Sequence, residues 1–230
     1  EIPHISLAEW AEAVVIAPCT ATMLQRAATG SGENILGALL LATRAPVVLF
    51  PAMNVNMWEH PATLDNARKA RELGYRIVEP DSGFLACGYE GKGRLPEPAV
   101  IIEETLRTLS PKKDLVGKKV MVTAGPTWEF LDPVRFISNP SSGKMGFALA
   151  RSAWLRGADV TVVCGPVTTP PPYGVRLHHV TSAQEMLEAS LEHARESDLI
   201  FKAAAVGDYR PETTESGKIK RKGRDTLDLR

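Results

Sequence analysis

Short apolar runs alternate along this chain with longer stretches in which apolar positions recur at helical spacing. Residues 14–17 form a compact apolar run that stops at Pro18, and residues 46–50 form a second one. Between them, residues 24–28 and 35–42 have helical character on either side of a Gly-Ser-Gly break at 30–32. Residues 62–73 read as an amphipathic helix ended by Gly74, residues 75–78 as a short strand, and residues 101–109 as another helix. The stretch 110–117 is polar and broken by Pro and Gly, which marks a domain boundary. The alternation then restarts, with strands at 119–124, 159–164 and 199–205 and helices at 143–156 and 183–196. Strands rich in Val and Ile, bounded by helices, predict α/β units whose mostly parallel sheets are covered by helices on both faces.

Composition narrows the partners. Apolar residues make up 44% and charged residues 23% of the 230 positions, an ordinary balance for a globular protein. The 27 basic and 27 acidic side chains cancel, so there is no bulk attraction to nucleic acid or to an anionic membrane. An anionic ligand has to be held locally, by loops and helix ends. No apolar run approaches the roughly 20 residues that span a bilayer, and no charged-then-apolar segment opens the sequence. The three cysteines, Cys19, Cys87 and Cys164, are odd in number and lack C-x-x-C spacing. That argues against a disulfide framework or structural zinc and for a reducing cytoplasm.

Four segments of the first half carry candidate chemistry. His4, taken alone, is an ordinary histidine. Residues 18–22 (Pro-Cys-Thr-Ala-Thr) join a buried strand to a helix, where backbone N–H groups and hydroxyls suit a phosphate or a flavin edge, or where a Thr simply caps the helix. Residues 51–58 (Pro-Ala-Met-Asn-Val-Asn-Met-Trp) follow a strand end, where parallel sheets bind ligands. Asn54 between two methionines offers an amide in apolar surroundings, although a Met-rich packing loop reads the same way. Residues 86–94 hold three glycines and Cys87; they predict a flexible flap rather than a core strand, able to bring a thiol in as a proton donor or carrying an incidental one.

In the second half, the strand at 119–124 runs into Gly125-Pro126-Thr127, and a long loop then reaches Ser141-Ser142-Gly143-Lys144 at a helix start. That order suits phosphates as well as a plain helix cap. It is not a Walker A loop, because Met145 follows Lys144 and Ser138 stands where the first Gly is needed. Asp208 falls just past a buried strand, and residues 218–222 are dense in positive charge.

Two sets of motifs carry a resemblance. His-Ile-x-Leu at 4–7, Pro-x-Met-Asn-x-x-Met-Trp at 51–58 and Ala-Cys-Gly-x-x-Gly-x-Gly-Arg at 86–94 resemble the FMN-dependent cysteine decarboxylases. Thr-Ala-Gly-Pro-Thr at 123–127, the run from Asp132 to Gly146, Ala-Ala-Val-x-Asp-Tyr-Arg at 204–210 and Lys-Ile-Lys at 218–220 resemble phosphopantothenate–cysteine ligases. Bacterial enzymes of coenzyme A synthesis fuse the two in this order. The resemblance implies flavodoxin- or Rossmann-like three-layer units, a decarboxylase domain over 1–110 and a CTP-dependent ligase domain over 118–230. It implies FMN against Thr20, Ala21, Thr22 and Met53, His4 as base, Asn54 on the substrate carboxylate with Met57 nearby, and Cys87 as proton donor. In the second half it implies Asn139 at an acyl-cytidylate, substrate or CTP contacts at Ser141, Ser142, Gly143, Lys202, Ala203, Ala204 and Asp208, Lys218 on CTP phosphate, and Mg²⁺ with the triphosphate. The implied small molecules are 4'-phosphopantothenate, cysteine, CTP and phosphopantothenoylcysteine; the implied assembly is a homo-oligomer. Relatives carry a Gly-rich strand–loop–helix before the His motif and further residues after the basic motif, so the expectation is an internal fragment, inactive alone, with Lys218 on a loose tail. A catalytically silent flavoprotein of the same fold is the alternative.

Overall fold

The computed structural model describes residues 2–84, 88 and 90–220. The chain divides into two compact units, residues 1–111 and 112–230.

The first unit runs α1 (Pro3–Trp10), β1 (Val14–Cys19), α2 (Ala21–Thr29), α3 (Ile35–Ala42), β2 (Val47–Pro51), α4 (Val55–Glu59), α5 (Pro61–Glu72), β3 (Arg76–Ile77), β4 (Asp81–Phe84), β5 (Glu90–Arg94) and α6 (Pro98–Leu109). Strands β1, β2 and β3 form a parallel sheet in that order. Every residue of β2 is buried, as its unbroken Val-Val-Leu-Phe sequence requires of a strand covered on both faces. Helix α2 packs on α5, α1 on α3, and α6 against β2. The core gathers Leu24, Ala27, Leu40, Leu49, Trp58 and Ala70. Helix α2 starts where Thr20 Oγ1 accepts the Met23 N–H at 3.3 Å and ends at Gly30, left-handed with φ 70°. A buried carboxylate, Glu104, receives the Arg76 guanidinium at 2.5 Å and ties α6 to β3.

The glycine-rich segment departs from expectation. Residues 90–94 are a strand, paired antiparallel with β4. Gly91 is needed there rather than merely tolerated: a Cβ would sit 2.8 Å from Val55 Cγ2, so the bare backbone lets β5 close onto α4.

The second unit runs β6 (Lys119–Ala124), β7 (Glu129–Phe130), β8 (Phe136–Ile137), α7 (Lys144–Leu155), β9 (Asp159–Cys164), β10 (Arg176–His179), α8 (Ala183–Ala194) and β11 (Leu199–Lys202). Its parallel sheet has the order β10-β9-β6-β11. Alternation along the strands feeds two cores. Val120, Val122 and Ala124 meet Phe147, Ala150 and Trp154 of α7, whereas Met121 and Val163 meet Met186 and Ala189 of α8. Gly146 allows a close approach of α7 to β6, where a Cβ would lie 2.6 Å from Ala124 Cβ. Helix α8 begins with a capping box between Ser182 and Glu185. The loop expected after Thr127 folds back on itself as the β7–β8 hairpin. The strand expected over 199–205 stops at Lys202, and Ala205 makes only an isolated bridge to Pro126.

Candidate functional site

In the first unit, predicted residues gather where β1 and β2 end. The Ala52 N–H donates to Cys19 O at 3.1 Å, which sets the loop after β2 beside the one after β1. The Met53 N–H donates to Gly93 O at 3.0 Å, which brings in the β4–β5 hairpin. Thr20, Ala21, Thr22, Met53 and Asn54 therefore share one sheet edge. Thr20 is the N-cap; Ala21 and Thr22 lie in the first turn of α2, where N–H groups have no intrahelical acceptor and can face an anion or a polar ring edge. That donor set, beside the apolar Met53, fits a flavin mononucleotide's polar edge and phosphate chemistry. Asn54 caps α4, its Oδ1 accepting the Asn56 N–H at 2.9 Å, and Met57 on α4 is exposed. His4 stands in the first turn of α1, half-buried, and no hydrogen bond joins it to the cluster among the described residues. Cys87 lies outside the described residues. Cys19 is no substitute for it, because burial pushes its thiol up to about 12.

In the second unit, the strand order reverses beside β6: β9 and β10 extend one way and β11 the other. Such a reversal opens a crevice at the carboxyl ends of the strands. Asn139 reaches across it, its Nδ2 donating to Val206 O at 3.0 Å. Thr127 Oγ1 accepts the Gly207 N–H at 2.9 Å, and Ser138 Oγ donates to Thr127 O at 2.8 Å. Thr123 Oγ1 accepts the N–H groups of Ala203 and Ala204 at 3.2 and 3.3 Å. Ser141 and Gly143 precede α7, with Gly143 left-handed at φ 73° and its N–H donating to Ser141 Oγ at 3.4 Å. The crevice widens into a cleft of about 410 Å³ whose lining includes Trp128, Ser138, Asn139, Ser141, Thr168 and His179. Trp128 is stacked on Phe136, centroids 4.3 Å apart. Ser142, Lys202, Asp208 and Lys218 are exposed and do not line this cleft.

Lys218 is not on a loose tail. Thr214 Oγ1 donates to Phe130 O at 3.0 Å, the Glu215 N–H to Leu131 O at 3.0 Å, and the Ile219 N–H to Asp132 Oδ2 at 3.0 Å. A strap over residues 214–220 is thereby sewn along the β7–β8 hairpin. Sequence reasoning did not pick out Trp128 and His179, and it placed Thr123, Thr127 and Asp132 inside motifs without assigning them a role. The last had one local signal, an Asp-x-x-Arg spacing inside the quoted motif. Among the described residues no group of three or more His, Cys, Asp or Glu could hold a metal ion. None of the described helices is long and apolar enough to cross a membrane.

Two parallel α/β units with polar residues at their strand ends, the first suited to a flavin, describe a flavoprotein-type chain. Residues 1–110 match the Flavoprotein family, and residues 115–230 match the family described as DNA/pantothenate metabolism flavoprotein C-terminal domain. The chain belongs to the DNA/pantothenate metabolism flavoproteins, the family of the coenzyme A biosynthesis bifunctional proteins. The coenzyme A biosynthesis bifunctional protein CoaBC of Vibrio cholerae is 47% identical over 227 residues, covering 98% of this chain and 57% of that protein. The chain thus spans little more than half the length of the curated relatives it matches. A crystal structure of the C-terminal domain of CoaBC is 52% identical, covering 43% of this chain and 50% of that one, with a TM-score of 0.42. A PPC decarboxylase mutant complexed with pantothenoylaminoethenethiol is 34% identical, covering 46% and 59%, with a TM-score of 0.45.

Proposed function

We propose that the chain acts in coenzyme A biosynthesis in the cytoplasm, with residues 1–110 serving FMN-dependent decarboxylation of phosphopantothenoylcysteine and residues 118–230 serving CTP-dependent ligation of cysteine to 4'-phosphopantothenate. The observation that carries the reading is where the motif residues fall. Thr20 and Asn54 fall at the carboxyl ends of β1 and β2, and Asn139 and Ala203 lie just beyond the carboxyl ends of β8 and β11, which supports the reading for those four residues.

In the ligation, a carboxylate oxygen attacks the α-phosphorus of CTP, pyrophosphate leaves, and the cysteine amine then attacks the acyl carbon and expels CMP. Asn139, whose Nδ2 donates to Val206 O, would orient the acyl-cytidylate. Ser141 and Gly143 offer a hydroxyl and a helix start to a phosphate, and Lys218 offers countercharge. In the decarboxylation, Thr20, Ala21, Thr22 and Met53 would hold FMN, which when bound would supply the electron sink that makes loss of the carboxylate feasible. Asn54 orients that carboxylate, and its Oδ1 also serves the α4 cap. His4 takes the first proton and Cys87 returns one to the product.

The test uses the protein from the complete reading frame containing these residues, supplied with FMN. Release of CO₂ from phosphopantothenoylcysteine and CTP-dependent amide formation with release of pyrophosphate are both expected. Absence of both would overturn the reading in favour of a catalytically silent flavoprotein.

A further inference from the structure

Asp132 sits in the turn of the β7–β8 hairpin and is completely enclosed, 0% exposed. A carboxylate in that position is tolerable only when its lone pairs are matched. The hairpin supplies most of the donors. The Val134 and Arg135 N–H groups both donate to Oδ1 at 2.8 Å, and Arg135 Nη1 donates to Oδ2 at 3.1 Å. The remaining donor comes from elsewhere in the chain, the Ile219 N–H, which reaches Oδ2 at 3.0 Å. Arg135 Nη1 also donates to Ile219 O at 3.1 Å, so residue 219 is gripped at both its N–H and its carbonyl. Burial opposes ionisation, yet these N–H donors and the Arg135 charge outweigh it and hold the Asp132 carboxyl below its usual range.

Position gives this clamp a meaning beyond stability. On one side, β8 leads through Ser138 directly into Asn139, at the wall of the cleft. On the other, Ile219 lies between Lys218 and Lys220, both exposed. With the Thr214 and Glu215 contacts further back along the strap, this carboxylate therefore fixes the register between the segment that carries Asn139 and the two cations that flank Ile219. We propose that Asp132 is a positioning residue: it holds Lys218 and Lys220 where they can meet the phosphates of a nucleoside triphosphate, without touching that ligand itself. The identity of the ligand rests on the ligase reading above; the clamp does not.

The test uses two variants in the protein from the complete reading frame. Ile219→Pro removes the N–H that the strap gives to Asp132 and leaves the hairpin's own donors in place. Asp132→Asn weakens the clamp from the other side. A hydrogen bond to a charged acceptor is worth about tenfold or more in an opening equilibrium. Limited trypsin cleavage after Lys220 is therefore expected to accelerate about tenfold in both variants, and cleavage after Lys218 likewise in Asp132→Asn, because trypsin does not cut a Lys–Pro bond. KM for CTP is expected to rise by a similar factor with kcat little changed. Unchanged proteolysis in Ile219→Pro would show that Asp132 does not hold the strap. Faster proteolysis with an unchanged KM would show that the strap does not serve the ligand. Either result overturns the proposal. A parent protein with no CTP-dependent amide formation would instead fail the ligase reading and take the ligand half of the proposal with it.

Discussion

At Asn54 one carboxamide serves the backbone and, in the proposed reaction, the substrate. Its oxygen caps α4, so Asn54→Ala would remove a cap worth about 1 kcal/mol along with the proposed carboxylate donor. Asn54→Ser separates the two roles, because a hydroxyl caps nearly as well. Its melting temperature is expected to stay close to the parent's, while decarboxylase turnover falls by about 10²–10³ and ligation is unaffected. Equal turnover would remove Asn54 from the site. A second residue-level expectation concerns thiols. Burial pushes Cys19 up to about 12 and Cys164 up to about 11, so neither is ionised near neutral pH. Brief alkylation of the native protein followed by peptide mass analysis should find both unmodified until denaturant is added. Residues such as Asn54 and Ser141 stood out in the sequence because their local surroundings are unusual. Thr123 stood inside a quoted motif but its role was not legible, since that role is a contact with Ala203 and Ala204, 80 and 81 positions away, that no local pattern encodes.

Elements were legible where their own sequence decides them. Helix α3 and strands β6 and β9 lie where the apolar pattern put them. The hairpin strands β5, β7 and β8 were not legible, because tertiary contact overrides weak local preference. Strand β5 shows how. Gly91→Ala would drive a methyl into Val55 and loosen β5 from α4, at a cost of about 1–3 kcal/mol. Val55→Ala in the same chain should recover part of that loss, and a double-mutant cycle in urea measures the coupling; purely additive losses would show that the two side chains do not meet. Gly146→Ala tests the α7–β6 contact. Alanine favours a helix over glycine by about 1 kcal/mol. The overlap with Ala124 Cβ and Thr123 O should nevertheless win and lower stability by about 1–3 kcal/mol in the same denaturation. A stabilised variant would mean that α7 can slide.

For the molecule as a whole, acid is the revealing variable. Asp65, Glu79, Asp114, Glu196 and Asp198 are all held below their usual range, chiefly by Lys and Arg partners or by backbone N–H donors, but they lie in open ion pairs that solvent screens. Asp132 is the enclosed one. A depressed carboxyl contributes stability that is fully present above its unfolded pKa, near 3.9, and is lost as pH falls through the folded value. Melting temperature should therefore hold steady above about pH 5 and fall steeply below about pH 4, and Asp132→Asn should flatten that acid limb. An identical limb in the variant would assign the loss to the surface pairs.

The separation between Asp132 and its last donor also fixes an order of events during synthesis. Ile219 leaves the ribosome 87 residues after Asp132, so the hairpin exists long before its carboxylate can be fully matched. Until then water has to solvate the open oxygen, and closing so long a loop carries an entropic penalty that shorter contacts in the same unit escape. The nascent second unit is thus expected to assemble its sheet first and to dehydrate the hairpin last.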